Sequence, residues 1–283
     1  PDIRIRGTIS RNQTKPLYIV DGIFNDNINF INPEDIASME VLKDPSSLAI
    51  FGVRGANGAI IITTKKGALG KVTVNFNSSV GVQNIVGTPD MTDRNGFMTL
   101  YDEQRINQGA SAYGHYDLFQ GNTNWIDQIK QNNAIVTSHN LSISSGNEKN
   151  KFYFGAGYLY QEGLIKYETY NKLTVSLNDE LTINKHFKVG VNVNAYKANL
   201  PQLHDFISAL NATPIVEPYN TTYNVYNKLP DDIGGPQIGN PLMFVKGNKY
   251  TQLNNEYRFI GNGFIEWTLF KDLTLKANYF ADL

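Results

Sequence analysis

The residues able to do chemistry are few and scattered. Four histidines, His115, His139, His186 and His204, lie too far apart for HExxH or any other short metal-binding pattern, and no GxSxG nucleophile motif is present. His139 and His186 fall at strand starts or turns, where a hydrogen-bonded interface histidine is the plain reading. The chain has no cysteine, so thiolate ligands, thiol nucleophiles and disulfides are all excluded. A glycosidase needs two carboxyl groups about 5–10 Å apart. Asp231-Asp232 is a pair only by adjacency, and it reads as a solvated loop. Gly52, Gly55 and Gly58 suggest a phosphate cradle, yet no Lys-Ser/Thr pair follows at the required spacing and the helix precedes the glycines, so tight turns fit better. Asp21, Asn25 and Asp26 lack the spacing and late Glu of a calcium loop. No catalytic constellation emerges, and the expectation is a protein that is not an enzyme and needs no metal or cofactor.

What remains is recognition chemistry. Tyr113, His115, Tyr116 and Trp125 fall in one long polar stretch, and Tyr219, Tyr223 and Tyr226 in another. Aromatic rings beside Asn and Asp suit a sugar or a peptide, because flat rings stack and amides hydrogen-bond. The same rings suit packing of the loops or an interfacial girdle equally well. Asn25, Asp26 and Asn27 are further candidate contacts facing the same cavity.

The elements that would position these residues are mostly strands. Val72, Val74, Phe76, Ser78, Val80 and Val82 alternate with Thr73, Asn75, Asn77, Ser79, Gly81 and Gln83. Period-2 alternation over a dozen residues describes a strand with one oily and one wet face. The pattern recurs, predicting seven strands near 71–85, 136–145, 151–163, 170–183, 187–198, 256–269 and 273–283. Phe187, Val189, Val191, Val193 and Ala195, for instance, oppose Lys188, Gly190, Asn192 and Asn194. The connections near 146–150, 184–186 and 270–272 are tight, whereas 86–135 and 199–255 are long and 164–169 is short. Tight and long links therefore sort to opposite ends of the sheet, as the periplasmic turns and outer loops of membrane barrels do.

Composition agrees. Charged residues make up 18% of the 283, below the usual quarter, and the net charge of −1 gives no basic footprint for nucleic acid. No apolar run approaches the about 20 residues of a spanning helix, while a barrel strand needs only about 9–11. The chain opens at Pro1-Asp2-Ile3-Arg4 without a signal peptide, which suggests processing or a partial chain. Seven strands would leave two open edges, costly in lipid, and this too suggests a part of something larger.

Residues 1–68 read differently. Leu17-Tyr18-Ile19-Val20 is a short strand stopped by Asp21-Gly22, and Asn32-Pro33-Glu34-Asp35 has the cap, proline and acids of a helix start. Met39 to Leu42 predicts a strand, Asp44-Pro45-Ser46-Ser47 a second helix ending by Gly52, and Gly58 to Thr64 an apolar strand. The segments PLYIVDG (16–22) and NPEDIASMEVLKDPSSLAIFGVRGANGAIIITTKKG (32–67) resemble the plug domain of TonB-dependent transporters, in particular the SusC/RagA-like family of Bacteroidetes. Phe51, where Tyr is common, and Pro45-Ser46-Ser47-Leu48, where smaller residues are commoner, depart from the pattern without disturbing it. NTNWIDQI (122–129), HNLSISSGNEKNKFYFGAGYLYQEGLIK (139–166) and NKHFKVGVNVN (184–194) resemble the barrel of the same family.

The resemblance implies a mainly β fold: residues 1–68 as the C-terminal part of a small α+β plug domain, and 69–283 as the N-terminal strands and extracellular loops of a partial transmembrane antiparallel β-barrel of about 22 strands in the full protein. Asp21, Gly22, Gly52, Arg54, Gly55 and Gly58 would form the plug motif, with Arg54 meeting buried carboxylates or the barrel wall; a solvated surface charge is the alternative for Arg54. The implied function is active import of a large nutrient, glycan or oligopeptide, across the bacterial outer membrane. The implied partners are TonB with its inner-membrane energising proteins, a SusD-like surface lipoprotein and outer-membrane lipid. A soluble, secreted β-rich glycan-binding or structural module is the alternative, and it predicts mixed polarity on both strand faces. An outer-membrane enzyme is a third reading, disfavoured by the missing catalytic cluster.

Overall fold

The structure is a computed structural model that describes residue 5 and residues 15–201, 206–233, 239–247 and 254–283. Two sheets dominate. The first is built from β1 (Leu17–Val20), β2 (Ile23–Asn25), β3 (Ile36–Leu42) and β4 (Ala59–Thr64), in the order β2-β1-β4-β3. β1 and β4 run parallel at its centre. Asp21 and Gly22, at φ 49° and 87°, make the two-residue turn joining β1 to β2. A turn of that hand needs positive φ at both central positions, which Asp-Gly accepts readily.

The central strands read LYIV and AIII, continuously apolar, because both of their faces are covered. On one face Ile19, Leu48 and Ala59 pack together with Leu17, Leu42, Phe51 and Ile61. Leu48 comes from the short helix α1 (Pro45–Leu48), which a 3-10 segment, Ala49–Gly55, continues. On the other face Tyr18, Val20, Ile60 and Ile62 pack with Phe30 and Ile31, and with Tyr196, Ala198 and Ile260 of the second sheet. The predicted helix start at Asn32 is a single 3-10 turn, Pro33–Asp35. Asn32 caps it as expected, accepting from the Glu34 amide at 3.1 Å, but Ile36 already belongs to β3, so no helix follows.

The second sheet comprises β5 (Gly70–Gln83), β6 (Ala134–Gly146), β7 (Asn150–Glu162), β8 (Thr169–Thr182) and β9 (Phe187–Leu200). A small hairpin, β10 (Tyr219–Asn220) with β11 (Val225–Tyr226), follows in the chain, and β12 (Asn254–Phe270) and β13 (Leu273–Asp282) complete the large sheet. Those seven strands pair in chain order, β5 beside β6 through to β12 beside β13, all antiparallel. They lie where the alternation placed them, and His139 is the exception at residue level. It sits in mid-strand, with Nδ1 2.8 Å from the Ser78 hydroxyl, not at a strand start. His186 occupies a turn as expected, its Nδ1 2.9 Å from the Thr268 carbonyl, and His204 lies outside the described residues.

The sheet's polarity is inverted relative to a soluble protein. Along β8, Thr174 and Ser176 are 5% and 7% exposed, whereas Leu173 and Val175 between them are 47% and 36% exposed. Along β9, Asn194 is buried and Val191 exposed. One register row crosses the outward face through Ser78, His139, Tyr158, Leu173, Lys197 and Tyr257. Ten residues towards the tight turns, Phe187 and Trp267 stack at 5.6 Å. Ten residues of strand tilted by about 40° span about 25 Å, the height of the apolar band of an outer-membrane barrel. The outward residues between these two rows are predominantly apolar. A broad apolar face of this kind is covered by lipid or protein, not water.

The long connections are folded. The first carries α2 (Arg94–Asn107) and α3 (Trp125–Ile129), and the second carries α4 (Phe206–Asn211) and α5 (Pro241–Gly247). Their apolar residues, Trp125, Ile129, Ile215, Val216 and Val245 among them, form one core together with Ile165 of the short 163–168 link. Among the described residues no helix is long and apolar enough to cross a membrane.

Candidate functional site

The buried face of the large sheet is where the two sheets meet, and beside an apolar patch much of the meeting is polar. Asp35, 3% exposed at the end of its 3-10 turn, accepts a 2.7 Å hydrogen bond from the Tyr153 hydroxyl of β7 and another from the Ser176 hydroxyl of β8. Asn32 donates to Asn140 of β6 at 2.7 Å, and Asn77 of β5 donates to Glu34 at 3.2 Å. Asp21 accepts from the Thr64 amide and hydroxyl, at 2.9 and 2.5 Å, and from Asn192 of β9 at 2.8 Å. Arg258 of β12 lies 4.9 Å from the Phe30 ring centroid, donates to Asn25 at 3.3 Å and is held by Asp282 at 2.8 Å. Residues 21–35 are thus fastened to β5, β6, β7, β8, β9 and β12. Buried polar groups need such partners, since leaving one unmade costs about 1–3 kcal/mol.

The wall makes room for this segment by leaving out side chains. A Cβ on Gly155 would run into the Asp35 carboxylate, and one on Gly157 into the Asn32 amide. Glycine within a strand marks the close approach of another chain segment. Higher on the same face the inward residues Tyr196, Ala198 and Ile260 are apolar and pack on β1 and β4. The wet side of the strands therefore changes character where the smaller sheet docks.

The residues singled out from sequence separate into groups. Asp21 and Gly22 form a turn, and the Asp21 carboxylate joins both sheets. Gly52 and Gly58 hold positive φ, 57° and 94°, in keeping with tight turns. Gly55 is buried, with space for a Cβ closed by the Leu48 carbonyl and Phe51. Arg54 departs from expectation. It is exposed, its guanidinium 5.8 Å from the Phe24 ring centroid, and among the described residues no carboxylate forms an ion pair with it. Asn25 is buried, accepting from Arg258 and donating to the Ile23 carbonyl at 3.0 Å, so it serves the contact between the sheets. Asp26 is exposed, and Asn27 accepts from the Asn29 amide at 3.1 Å.

Among the aromatics, Tyr113, His115 and Tyr116 do come together. The Tyr113 centroid lies 5.7 Å from His115 and 4.9 Å from Tyr116. Tyr113 donates to Asp232 at 3.0 Å, linking the two long connections, and Tyr116 donates to Asp102 at 2.9 Å. Burial, reinforced by Asp232, pushes the Tyr113 phenol up to about 12, and burial beside Asp102 raises Tyr116. Trp125 stands apart, 1% exposed, with its indole N–H donating to the Thr213 carbonyl at 2.8 Å, so it packs the loops and offers no face to a ligand. Tyr219 and Tyr226 pair edge to face at 5.0 Å beneath Lys246, while Tyr223 projects into solvent. Asp231 pairs with Lys228 and Asp232 with Tyr113, so the adjacent acids serve the loops. Asp35 was legible only as part of a helix start, and Tyr153, Ser176 and Arg258 carried no functional signal of their own in the sequence. The signal available was Gly155-x-Gly157 inside a strand, together with polar residues at inward parity.

A small sheet docked through buried polar contacts onto the wet face of an inverted meander is the geometry of a plugged membrane barrel, and comparison with known proteins agrees. A family model described as "TonB-dependent Receptor Plug Domain" matches residues 1–59. TonB-dependent receptor P3 of Formosa agariphila is 35% identical over 250 residues, covering 83% of this chain and 24% of its own length. TonB-dependent receptor SusC of Bacteroides thetaiotaomicron is 31% identical over 234 residues, covering 78% of this chain and 23% of its own. The chain belongs to the SusC/RagA-like TonB-dependent receptors. A solved structure of the RagAB peptide importer in its open-open state superimposes with a TM-score of 0.76 at 24% identity, over 95% of this chain and 34% of that one. This receptor chain spans about a quarter of the length of the curated relatives it matches. Receptors of this family are outer-membrane β-barrel proteins, and the seven-stranded sheet is part of such a wall.

Proposed function

We propose that this chain is the plug region (1–68) and first wall (69–283) of an importer that carries a large nutrient, a glycan or an oligopeptide, through the bacterial outer membrane. The observation that supports it most is the burial of Thr174, Ser176 and Asn194 against the plug while Leu173, Val175 and Val191 face outward. A water-filled lumen closed by a removable polar plug needs such a wall. In this reading TonB, energised by its inner-membrane partners, displaces the plug, a SusD-like lipoprotein covers the outer mouth, and the cargo passes without any bond being broken. No catalytic step or cofactor enters. The alternative of a soluble module predicts mixed polarity on both strand faces, which the inverted pattern does not match.

The test is the full-length receptor lacking Gly52–Gly67, with surface display checked separately. Cells carrying it should become sensitive to antibiotics too large for porins, and uptake by the intact receptor should vanish without TonB. Unchanged permeability together with TonB-independent uptake would overturn the proposal.

A further inference from the structure

A cleft of about 220 Å³ opens where the plug segment meets the wall. Its lining includes Asn32 and Glu34 from the plug and Ser138, Asn140, Lys172 and Thr174 from β6 and β8. Ser138 and Lys172 lie two residues nearer the long connections than Asn140 and Thr174, so the cleft sits on the outer-loop side of the Asn32–Asn140 hydrogen bond. Its wall strands, β6, β7 and β8, each have both neighbours in place.

The balance of donors and acceptors is uneven. Among the described residues Lys172 Nζ has one hydrogen-bond acceptor, the Ile31 carbonyl at a long 3.4 Å, beside the Tyr196 ring at 5.8 Å and within electrostatic reach of Glu256, so an ammonium with three protons keeps donor capacity. The Ser138 hydroxyl accepts from Asn140 at 3.1 Å and keeps its own proton to donate. Thr174 donates to the Gly157 carbonyl at 3.3 Å and keeps lone pairs. Glu34, held by Asn77, sets an acceptor on the plug side. Lys172 and the Ser138 hydroxyl offer an anionic group donors on the wall side, and Glu34 on the plug side repels it, which directs the anion to the wall. The volume is below the roughly 300–1,000 Å³ of pockets that enclose a whole small molecule. It takes one unit or one terminus of a longer cargo.

We infer that this cleft is a luminal subsite for a carboxylate carried by the cargo, with Lys172 binding the anion, Ser138 donating to it, and Glu34 and Thr174 receiving neighbouring hydroxyl or amide protons. The inference rests on the import reading above but concerns a different step. Charge-assisted hydrogen bonds are the strong ones, so a single lysine suffices to prefer a charged group over its neutral isostere.

The carboxylate can belong to an acidic sugar or to a peptide C-terminus, and the experiment separates the two. Purified full-length receptor is titrated calorimetrically with trigalacturonate and its methyl ester, and with a tetrapeptide and its amide. At least one free acid should bind ten times more tightly than its capped form. Lys172→Gln should remove that preference while leaving the capped probe unchanged, and Ser138→Ala should weaken the same acid about threefold. Heat-modifiable migration on gels confirms folding of each variant. If Lys172→Gln does not fold, the wild-type preference and the Ser138→Ala result decide. Equal binding of acids and capped forms, or no binding of either acid at millimolar concentration, overturns the subsite. Cellular uptake is measured separately, so import can fail while the cleft stands, and the reverse.

Discussion

The Tyr153 hydroxyl and the Asp35 carboxylate meet at 2.7 Å although 118 residues separate them in the chain. Tyr153 points inward from β7, and Asp35 ends the 3-10 turn Pro33–Asp35. Replacing Asp35 with Ala strands two buried hydroxyls, Tyr153 and Ser176, and should weaken plug docking by about 1–3 kcal/mol. Single-channel conductance of the full-length receptor in planar bilayers should then show frequent openings. A trace as quiet as wild type would mean that the contact does not hold the plug.

Gly155→Ala approaches the same contact from the wall. The added methyl meets the Asp35 carboxylate, and overpacking of this kind costs about 1–3 kcal/mol. Alanine is easily accommodated in a strand, so the barrel should keep its heat-modifiable mobility while conductance rises. Loss of barrel folding would place the role of Gly155 in the wall itself.

Val193 is an outward residue of β9 near the middle of the apolar band. An arginine there should destabilise the barrel by about 2–4 kcal/mol, read from urea unfolding in lipid vesicles. Asn192→Ser, one residue away and facing the lumen, should change barrel stability little and affect the Asp21 contact instead. Equal effects at the two positions would contradict the inside-out assignment.

Trp125 is fully enclosed in the core shared by the two long connections. Trp125→Ala should cost about 3–5 kcal/mol within that unit and open residues 94–129 to protease, while the membrane strands stay resistant. Proteolysis followed by mass spectrometry reads both outcomes in one experiment.

The loop unit should also loosen in alkali. Burial and the bond to Asp232 raise Tyr113 from its ordinary 10.0 to about 12, and Tyr116 shifts the same way. The folded unit therefore keeps protons that the unfolded chain loses above pH 10. The stabilisation is complete below pH 10 and is lost as pH rises towards 12. Tyrosinate absorbance at 295 nm should show a late-titrating class, and protease sensitivity of the loops should rise over that window. Titration of all tyrosines near 10 would contradict the burial.

Much of this was legible beforehand. The period-2 pattern located all seven wall strands to within a few residues, and the sorting of tight from long links gave the sheet its two ends. The Asp21-Gly22 turn and β4 were equally plain. The misreadings had local causes. Asn32-Pro33-Glu34-Asp35 carries helix-start chemistry, but Ile36 onward pairs with β4, and sheet hydrogen bonds displaced the helix. Trp125 has the composition of a binding residue, but whether an aromatic ring is presented or buried depends on what the second long connection lays over it.

Strand identity, facing and connection length follow from the sequence alone, because side-chain alternation is a property of the backbone repeated every two residues. The pairing of Asp35 with Ser176, 141 residues on, belongs to the tertiary structure, as do the fit of Asn32 beside Gly157 and the common core of the loops. Such contacts join polar residues whose types are ordinary and whose spacing carries no period. Only the curvature of the wall and the docking of the plug bring them within hydrogen-bonding distance.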